Sequence, residues 1–549
     1  MAAGLDGNLV QGDKNCETLK DALKAGLPKD FRCRLRYIST PAKRCDPLFS
    51  PCPGIGREKT KLASHFLTVS VPARDVQAGA GIDDHVIVFA MEILIYSQKG
   101  LTTMFVSKAD STGYLPQRRP SPVKSIATTF LWWLGTKQRQ KLSAGLNPDA
   151  RLVISLFARA QSQYLFPGSA DHGKKHVLDD RQLIRWWARV LDPLFPKDSQ
   201  PDPQSAQEPE HQGYLTVPGA EIRSFLPSLD ATARKHWKQG NPLVELAHAR
   251  GVPEIAPTRC LLPRFPDDPK ARFMQDLDDE VGLVEDAGPL ASPSKRKGGR
   301  WKTIHDLERF WEAMEFRQEC SSGRVVGFLW LVIRPSAAQA EQAAVERANR
   351  AIEAGTFAPP NLEATSSGFS ELESQDSQTS VATTTSNGSP GRKRRRKGPL
   401  TGPIHARAPR LKGGSSNLSA TSQPSSSQNS ANQDGPFLTK EGYDSAMSTL
   451  LHLDFSTPAA AAHSTKKWVA EISSMSGMGA GDWALDVVGE AEVAALHPAS
   501  NGAGATNDLG GLVRKKKRKV DDANGEPATA QQEQEPVVNT LIGRKKAKS

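Results

Sequence analysis

Residues Phe157 to Trp187, FARAQSQYLFPGSADHGKKHVLDDRQLIRWW, decide how the chain reads. The segment feeding them, Arg151 to Gln161 (RLVISLFARAQ), has the continuous apolar run of a buried strand and delivers Phe157, Arg159 and Gln161 into a polar, aromatic connection. On the far side, Asp179 or Asp180 can cap a helix whose Leu183, Ile184, Trp187, Val190, Leu191 and Leu194 fall on one face. Trp187 lies on that apolar stripe, so core packing explains it without further function; Trp186 points elsewhere and needs another partner. Aromatics, cations, a lone histidine and a helix start within one short connection are more chemistry than a plain core requires.

Upstream lies the sheet that carries this stretch. Asp30 to Thr40 alternates basic and apolar residues with period two, Leu62 to Val71 follows as a strand, and His85 to Tyr96 (HVIVFAMEILIY) is apolar enough on both faces to be central. Thr102 to Ser107 reads as its hairpin partner and leads into Lys108, Ala109, Asp110 and Ser111. Asp110, at a strand end on a Ser/Thr/Gly turn, either faces a ligand or closes a local Asx-turn. Arg118, Arg119 and Pro120 then precede Ser121 and Pro122, an N-cap and N1 pair for a helix over Val123 to Leu134. Free N–H groups beside two guanidiniums suit a pyrophosphate, and solvated surface arginines explain the same letters. No G-x-G-x-x-G or Walker-type loop occurs, so a nucleotide would be held in neither the Rossmann nor the P-loop manner.

Downstream, Pro196 to Gly213 reads as a disordered loop, Pro242 to Arg250 as a short helix, and FPDDPKAR (Phe265 to Arg272) as a second informative run. Asp268 and Pro269 are a good N-cap and N1, which predicts a helix from Pro269 to about Val281. Asp267 stands beside the cap. Residues 287–300 read as a mobile basic loop, Thr303 to Gln318 as an amphipathic helix and Arg324 to Arg334 as the last strand, stopped by Pro335. The two informative runs are read as the walls of one site.

Eight of ten tryptophans lie between Trp132 and Trp330, so the folded part is expected to span 30–335, after a flexible N-terminus of 1–29 in which Glu17 to Gly26 can form one short helix. Residues 336–549 are Ser/Thr/Gln/Ala/Gly-rich beyond an Ala/Glu stretch at 337–354 and are expected to be mostly disordered. Their clusters Arg392 to Lys397, Arg514 to Lys519 and Arg544 to Lys548 read as nuclear import signals, with nonspecific DNA contact as the second reading. Leu450 to Phe455 and Trp483 to Val488 read as short peptides that fold on a partner. The tail holds 24 Lys+Arg against 22 Asp+Glu, which leaves about +9 of the net +11 in the first 335 residues and favours polyanionic partners. Six scattered cysteines without C-x-x-C or histidine companions point to reduced thiols and no metal. No signal-peptide pattern and no apolar run of about 18 residues occurs, so a soluble, non-secreted protein is expected.

Met104 to Asp110, FARAQSQYLFPGS, KKHVLDDRQLIRWW and FPDDPKARF occur in an order and spacing that resembles the fungal histone acetyltransferases acting on the lysine at position 56 of histone H3. The resemblance spans roughly residues 30–335. It implies an α/β fold with a central mixed β-sheet surrounded by helices, the p300/CBP-like acetyltransferase fold. It also implies acetyl-CoA as co-substrate, histone H3–H4 as substrate, and two acidic histone chaperones as partners, one on the catalytic domain and one on the tail.

By resemblance, Asp268 is the proton acceptor or donor with Asp267 beside it, and Tyr164 and Trp187 line the substrate-lysine channel. Ala109, Asp110, Ser111, the segment Arg118, Arg119, Pro120, Ser121 and Pro122, then Phe157, Arg159, Gln161, His176, Val177, Leu178 and Trp186 are cofactor contacts. Gln161 departs from an alanine common in the family. Lys270 matches a lysine the family acetylates on itself. Two alternatives stay open: His176 as the general base, and a nuclear nucleic-acid-binding scaffold with an inactive acetyltransferase fold.

Overall fold

The computed structural model describes residues 18–76, 81, 84–115, 121–144, 150–196, 210–225, 231–281, 300–317, 320, 323–336 and 434–492, with a few positions between 341 and 349. Ten strands form one sheet: β1 (Arg32–Ser39), β2 (Lys43–Cys45), β3 (Thr60–Pro72), β4 (His85–Gln98), β5 (Leu101–Ser111), β6 (Arg151–Ala158), β7 (Glu210–Thr216), β8 (Trp237–Gln239), β9 (Gly327–Arg334) and β10 (Ala484–Val488). Their order is β10-β1-β3-β4-β5-β6-β9-β7-β8, with β2 on β3. Among the described strands only β5–β6 and β7–β8 pair in parallel, so the sheet is mixed, as the resemblance implied.

The β4–β5 hairpin turns in two residues, Lys99 and Gly100, and Gly100 supplies the positive φ such a turn demands (78°). The parallel β5–β6 pair needs a crossover instead, and α2 (Pro122–Ala144) provides it. Together with α1 (Leu19–Gly26) and α3 (Asp180–Leu191), this helix covers one face. There Tyr37, Leu67 and Met91 stand in one cross-strand row, and Tyr37 meets Phe130 and Trp133 edge-on. On the other face Phe105, Phe157 and Trp330 pack towards α6 (Pro269–Val281) and α7 (Leu307–Glu315), through Phe265, Phe273 and Phe310. Those helices follow the short α4 (Ala231–His236) and α5 (Leu243–Ala249).

Several expectations need correction. The folded part does not end at Pro335: residues 434–492 return to the sheet as α8 (Lys440–Leu451), α9 (Pro458–Ser476) and β10. Trp468 and Trp483 are fully buried, Trp468 packs edge-on against Phe66, and β10 pairs antiparallel with β1. The composition misled because α9 approaches the sheet with small residues; Ala461, Ser464 and Thr465 are buried, and Thr465 Oγ1 accepts a hydrogen bond from Ile87 N at 3.0 Å. Leu450, Leu453 and Phe455, and Trp483 and Val487, from the two stretches expected to fold on a partner, are therefore parts of this chain's own core.

The N-terminal segment is not wholly flexible either. Thr18 caps α1, which buries Leu19, Ala22 and Leu23. Residues 210–213, assigned to a loop, are strand β7. The helix expected over Thr303 to Gln318 is shortened because Asp306 caps it, accepting from Arg309 N at 2.7 Å. Residues 197–209 and 282–299 and all three basic clusters lie outside the described residues.

Candidate active site

β5 and β6 pair only from Leu101↔Arg151 to Phe105↔Ser155. Beyond that point β5 runs on to Ser111 beside β4, and β6 runs on to Ala158 beside β9. The two strands therefore part, and a cleft of about 590 Å³ opens between their ends. Val106 to Ser111 line one side and Leu156, Phe157, Arg159, Ala160 and Gln161 the other. Strand segments that stop pairing with each other leave backbone donors and acceptors for an extended ligand.

Asp110 organises the loop that roofs this cleft. Its Oδ2 accepts from Tyr164 N (2.8 Å) and Leu165 N (3.0 Å), while Oδ1 accepts from Ser111 N (2.8 Å) and Lys175 Nζ (3.0 Å). Asp110 therefore lines the cleft while its oxygens are spent on the loop. Lys175, which the sequence reading passed over, also donates to Ser169 Oγ at 2.7 Å. Its backbone lies where a side chain at position 113 would project: a Cβ on Gly113 would stand 2.6 Å from Lys175 Cα, and Gly113 has φ +80°. Asp180 fixes the other end of the loop, accepting from Ala160 N and pairing with Arg324. Burial pushes the Asp180 carboxyl up, but hydrogen bonds from Arg324, Ala160 N and Val325 N bring it below the ordinary range.

Tyr164, positioned by this loop, donates its hydroxyl to Asp267 Oδ2 at 3.1 Å. Burial, then the Asp267 charge and this hydrogen bond, raise the Tyr164 hydroxyl well above its ordinary value, so it stays protonated. Asp267 has φ +56°, a left-handed conformation that aspartate tolerates better than most residues, and it is exposed in the cleft wall. Trp186 and Trp187 meet edge-on with centroids 4.8 Å apart; both line the cleft, and Trp187 is also buried in the core.

Asp268 is placed differently from its sequence reading as the proton acceptor. It is 2% exposed and lies behind the cleft wall, with Oδ1 accepting from Lys270 N at 2.9 Å and Oδ2 in contact with Lys270 Nζ. The capping geometry at the start of α6 turns it inward, while the left-handed Asp267 turns outward. Burial raises the Asp268 carboxyl against the opposing Lys270 charge, and burial lowers the Lys270 ammonium against the opposing carboxylate.

Of the expected cofactor contacts, Ala109, Asp110, Ser111, Ser121, Phe157, Arg159, Gln161, His176, Val177, Leu178 and Trp186 line the cleft. Pro122 is buried at the start of α2 and does not line it; Arg118, Arg119 and Pro120 lie outside the described residues. Lys108, Lys175 and Arg272 are additional cationic lining residues. The Arg159 Nε is buried without a partner among the described residues, and Asp110 is neutralised by Lys175, so the cleft fits an anionic, elongated ligand.

The sequence pattern of the KAT11-type histone acetyltransferase domain matches residues 19–151 and 136–471. The chain belongs to the KAT11-type histone acetyltransferases. That match extends into α9, in accord with the return of residues 434–492 to the fold. The chain is 37% identical over 494 residues to the histone acetyltransferase rtt109 of Aspergillus flavus, covering 83% of this chain and 82% of the relative. It is 34% identical over 278 residues to that of Schizosaccharomyces pombe, covering 48% and 63%. The crystal structure of Rtt109 from Aspergillus fumigatus matches with a TM-score of 0.59 at 32% identity, covering 86% of this chain and all of that one. The chain is a histone acetyltransferase of this fungal group, and the activity implies acetyl-CoA as co-substrate.

Proposed function

We propose that the enzyme transfers acetyl from acetyl-CoA to histone H3, chiefly to the lysine at position 56 and also to N-terminal tail lysines, on H3–H4 presented by an acidic histone chaperone. In this reading it works in the nucleus, in replication-coupled nucleosome assembly and the response to DNA damage. One chaperone docks on the catalytic domain and another on the C-terminal tail.

The observation that supports it is the Tyr164–Asp267 hydrogen bond, with Asp267 exposed, in the same cleft as two tryptophans, a cleft fit for an anionic donor. A lysine side chain has a solution pKa near 10.4, so about one in a thousand is neutral at pH 7.4, a deficit of ~4 kcal/mol. Trp186 and Trp187 strip water from the incoming chain, and Asp267, accepting from Tyr164, takes the amine's proton. The amine then attacks the thioester carbonyl, the C–S bond breaks, and the second proton shed by the nitrogen leaves with the sulfur as the thiol of CoA. Asp268 acts from behind the wall by holding the turn, and acetylation of Lys270 on itself adjusts that turn. Arg159 and the segment from Arg118 to Pro122 hold the phosphates. The test is acetyl transfer to chaperone-bound H3–H4 carrying lysine or arginine at position 56 of H3. Labelling that falls with the arginine histone and collapses in Asp267→Asn supports the reading; equal labelling of both histones removes the site preference.

A further inference from the structure

We propose that Lys108 is a further catalytic residue and that Glu92 and Tyr443 position it, so that residues 434–492 take part in acetyl transfer as well as closing the sheet. The inference rests on the acetyltransferase reading of the cleft. Lys108 lies two residues before Asp110 and lines the cleft. A register shift in the β4–β5 ladder sets it there. Ile93 pairs with Val106 and Glu92 pairs with Lys108, which leaves Ser107 as an extra residue. Such bulges re-aim side chains next to active sites. The shift brings Lys108 Nζ to 2.8 Å from Glu92 Oε2 and 3.1 Å from Ser107 Oγ. An ammonium carries three N–H donors, so one remains for the cleft.

Glu92 is the one charged residue in the apolar core of β4 and is 4% exposed. A buried carboxylate persists only when paired and hydrogen-bonded. Its second oxygen, Oε1, accepts from Tyr443 Oη at 2.9 Å, and Tyr443 belongs to α8. Tyr443 is 3% exposed, and burial together with Glu92 keeps its hydroxyl protonated and donating. A chain of two hydrogen bonds through three residues thus runs from α8 to the cleft. Elsewhere in the lining, Lys175 is spent on Asp110 and Ser169.

When the neutral lysine amine forms its N–C bond, the carbonyl π electrons move to oxygen; they return as the C–S bond breaks, and the proton shed by the acylated nitrogen leaves with the departing sulfur as the thiol of CoA. Lys108 keeps its proton throughout and donates a hydrogen bond to the transient oxyanion, a charge that exists only in the reaction.

The test compares wild type, Lys108→Met, Lys108→Arg, Glu92→Gln and Tyr443→Phe in steady-state acetylation of core histones and of chaperone-bound H3–H4, with CoA affinity and thermal unfolding measured on each. Loss of one oxyanion donor predicts a fall in kcat of about 100-fold in Lys108→Met, with partial recovery in Lys108→Arg and CoA affinity within about threefold of wild type. Tyr443→Phe and Glu92→Gln keep the lysine but loosen it, and kcat falls about 3- to 30-fold at unchanged KM. Lys108→Met with wild-type kcat, or with its whole loss in CoA affinity, overturns the catalytic role. A lowered unfolding temperature with wild-type kcat in both Tyr443→Phe and Glu92→Gln overturns the positioning role. A wild type active on core histones and inert on chaperone-bound H3–H4 counts against the proposed substrate alone, because the variants are still ranked on core histones.

Discussion

Replacing Lys270 by methionine leaves Asp268 as a buried carboxylate without its cation. Both residues are 2% exposed, and after the change Asp268 keeps only the backbone N–H of position 270 among the hydrogen bonds described for its side chain. Breaking a buried pair by removing one partner costs about 3–5 kcal/mol, whereas removing both often costs little. The pH dependence carries a sign. Burial raises the folded Asp268 carboxyl above its unfolded value, and the lysine charge that opposes the rise is gone in the variant. The cost is therefore absent below the unfolded value near 3.9, and it grows by about 1.4 kcal/mol per pH unit up to the folded value before levelling off. Urea unfolding followed by tryptophan fluorescence at pH 5 and pH 8, on wild type, Lys270→Met and Lys270→Met with Asp268→Asn, measures this. The single variant should lose more stability at pH 8 than at pH 5, and the double variant should recover most of it. A loss that is equal at both pH values, or a double variant no more stable than the single one, refutes the reasoning. The same argument gives acetylation of Lys270 a physical effect, since an acetylated lysine also withdraws its charge from Asp268.

Asp110→Asn should release the loop over Tyr164, Leu165 and Lys175 and cut kcat/KM for acetyl-CoA at least tenfold; initial rates over a range of cofactor concentration check this. Tyr164→Phe should lower kcat about tenfold and leave the alkaline limb of the pH–rate profile where it is, because the burial-raised hydroxyl donates and does not titrate there; a limb that vanishes in the variant assigns the titration to Tyr164. Trp187→Ala, which opens a core cavity, should cost about 3–5 kcal/mol in unfolding experiments, while the half-buried Trp186→Ala should cost less stability and act chiefly on turnover. A chain ending at residue 433 should aggregate on expression, since it bares β1 as an edge strand and leaves the Phe66 side of the sheet uncovered; a soluble monomer with wild-type turnover refutes this.

Much of the fold was legible because its signals are local. The apolar runs placed β1, β3, β4, β5 and β6 to within a few residues, and Pro269 at N1 fixed the start of α6. The stretch from Phe157 to Trp187 and Asp267 do meet around one cleft, with Asp268 buried behind its wall. Contacts across the chain left weaker traces. Asp110 finds its partners 54, 55 and 65 residues away, and nothing near it in sequence announces Lys175. The return of residues 434–492 was hidden because α9 packs through alanine, serine and threonine, residues that composition alone counts as tail. Glu92 did leave a signal: a lone carboxylate inside HVIVFAMEILIY interrupts a central strand, and a charge there demands a buried partner.

The aspartate pair shows where one-dimensional reading stops. Adjacent residues in DDP must point in different directions, and the capping rule correctly ties one of them to the start of α6. Resemblance then assigned proton transfer to that same residue, Asp268. One residue cannot readily do both: a carboxylate whose oxygens hold the Lys270 N–H and ammonium has little left for a substrate in the cleft. The division of labour is set by the left-handed φ of Asp267, which swings its carboxylate towards Tyr164 and the cleft while Asp268 turns to the core. A backbone angle decides which of two identical side chains faces the cleft, and aspartate is among the few residues that adopt that angle at modest cost.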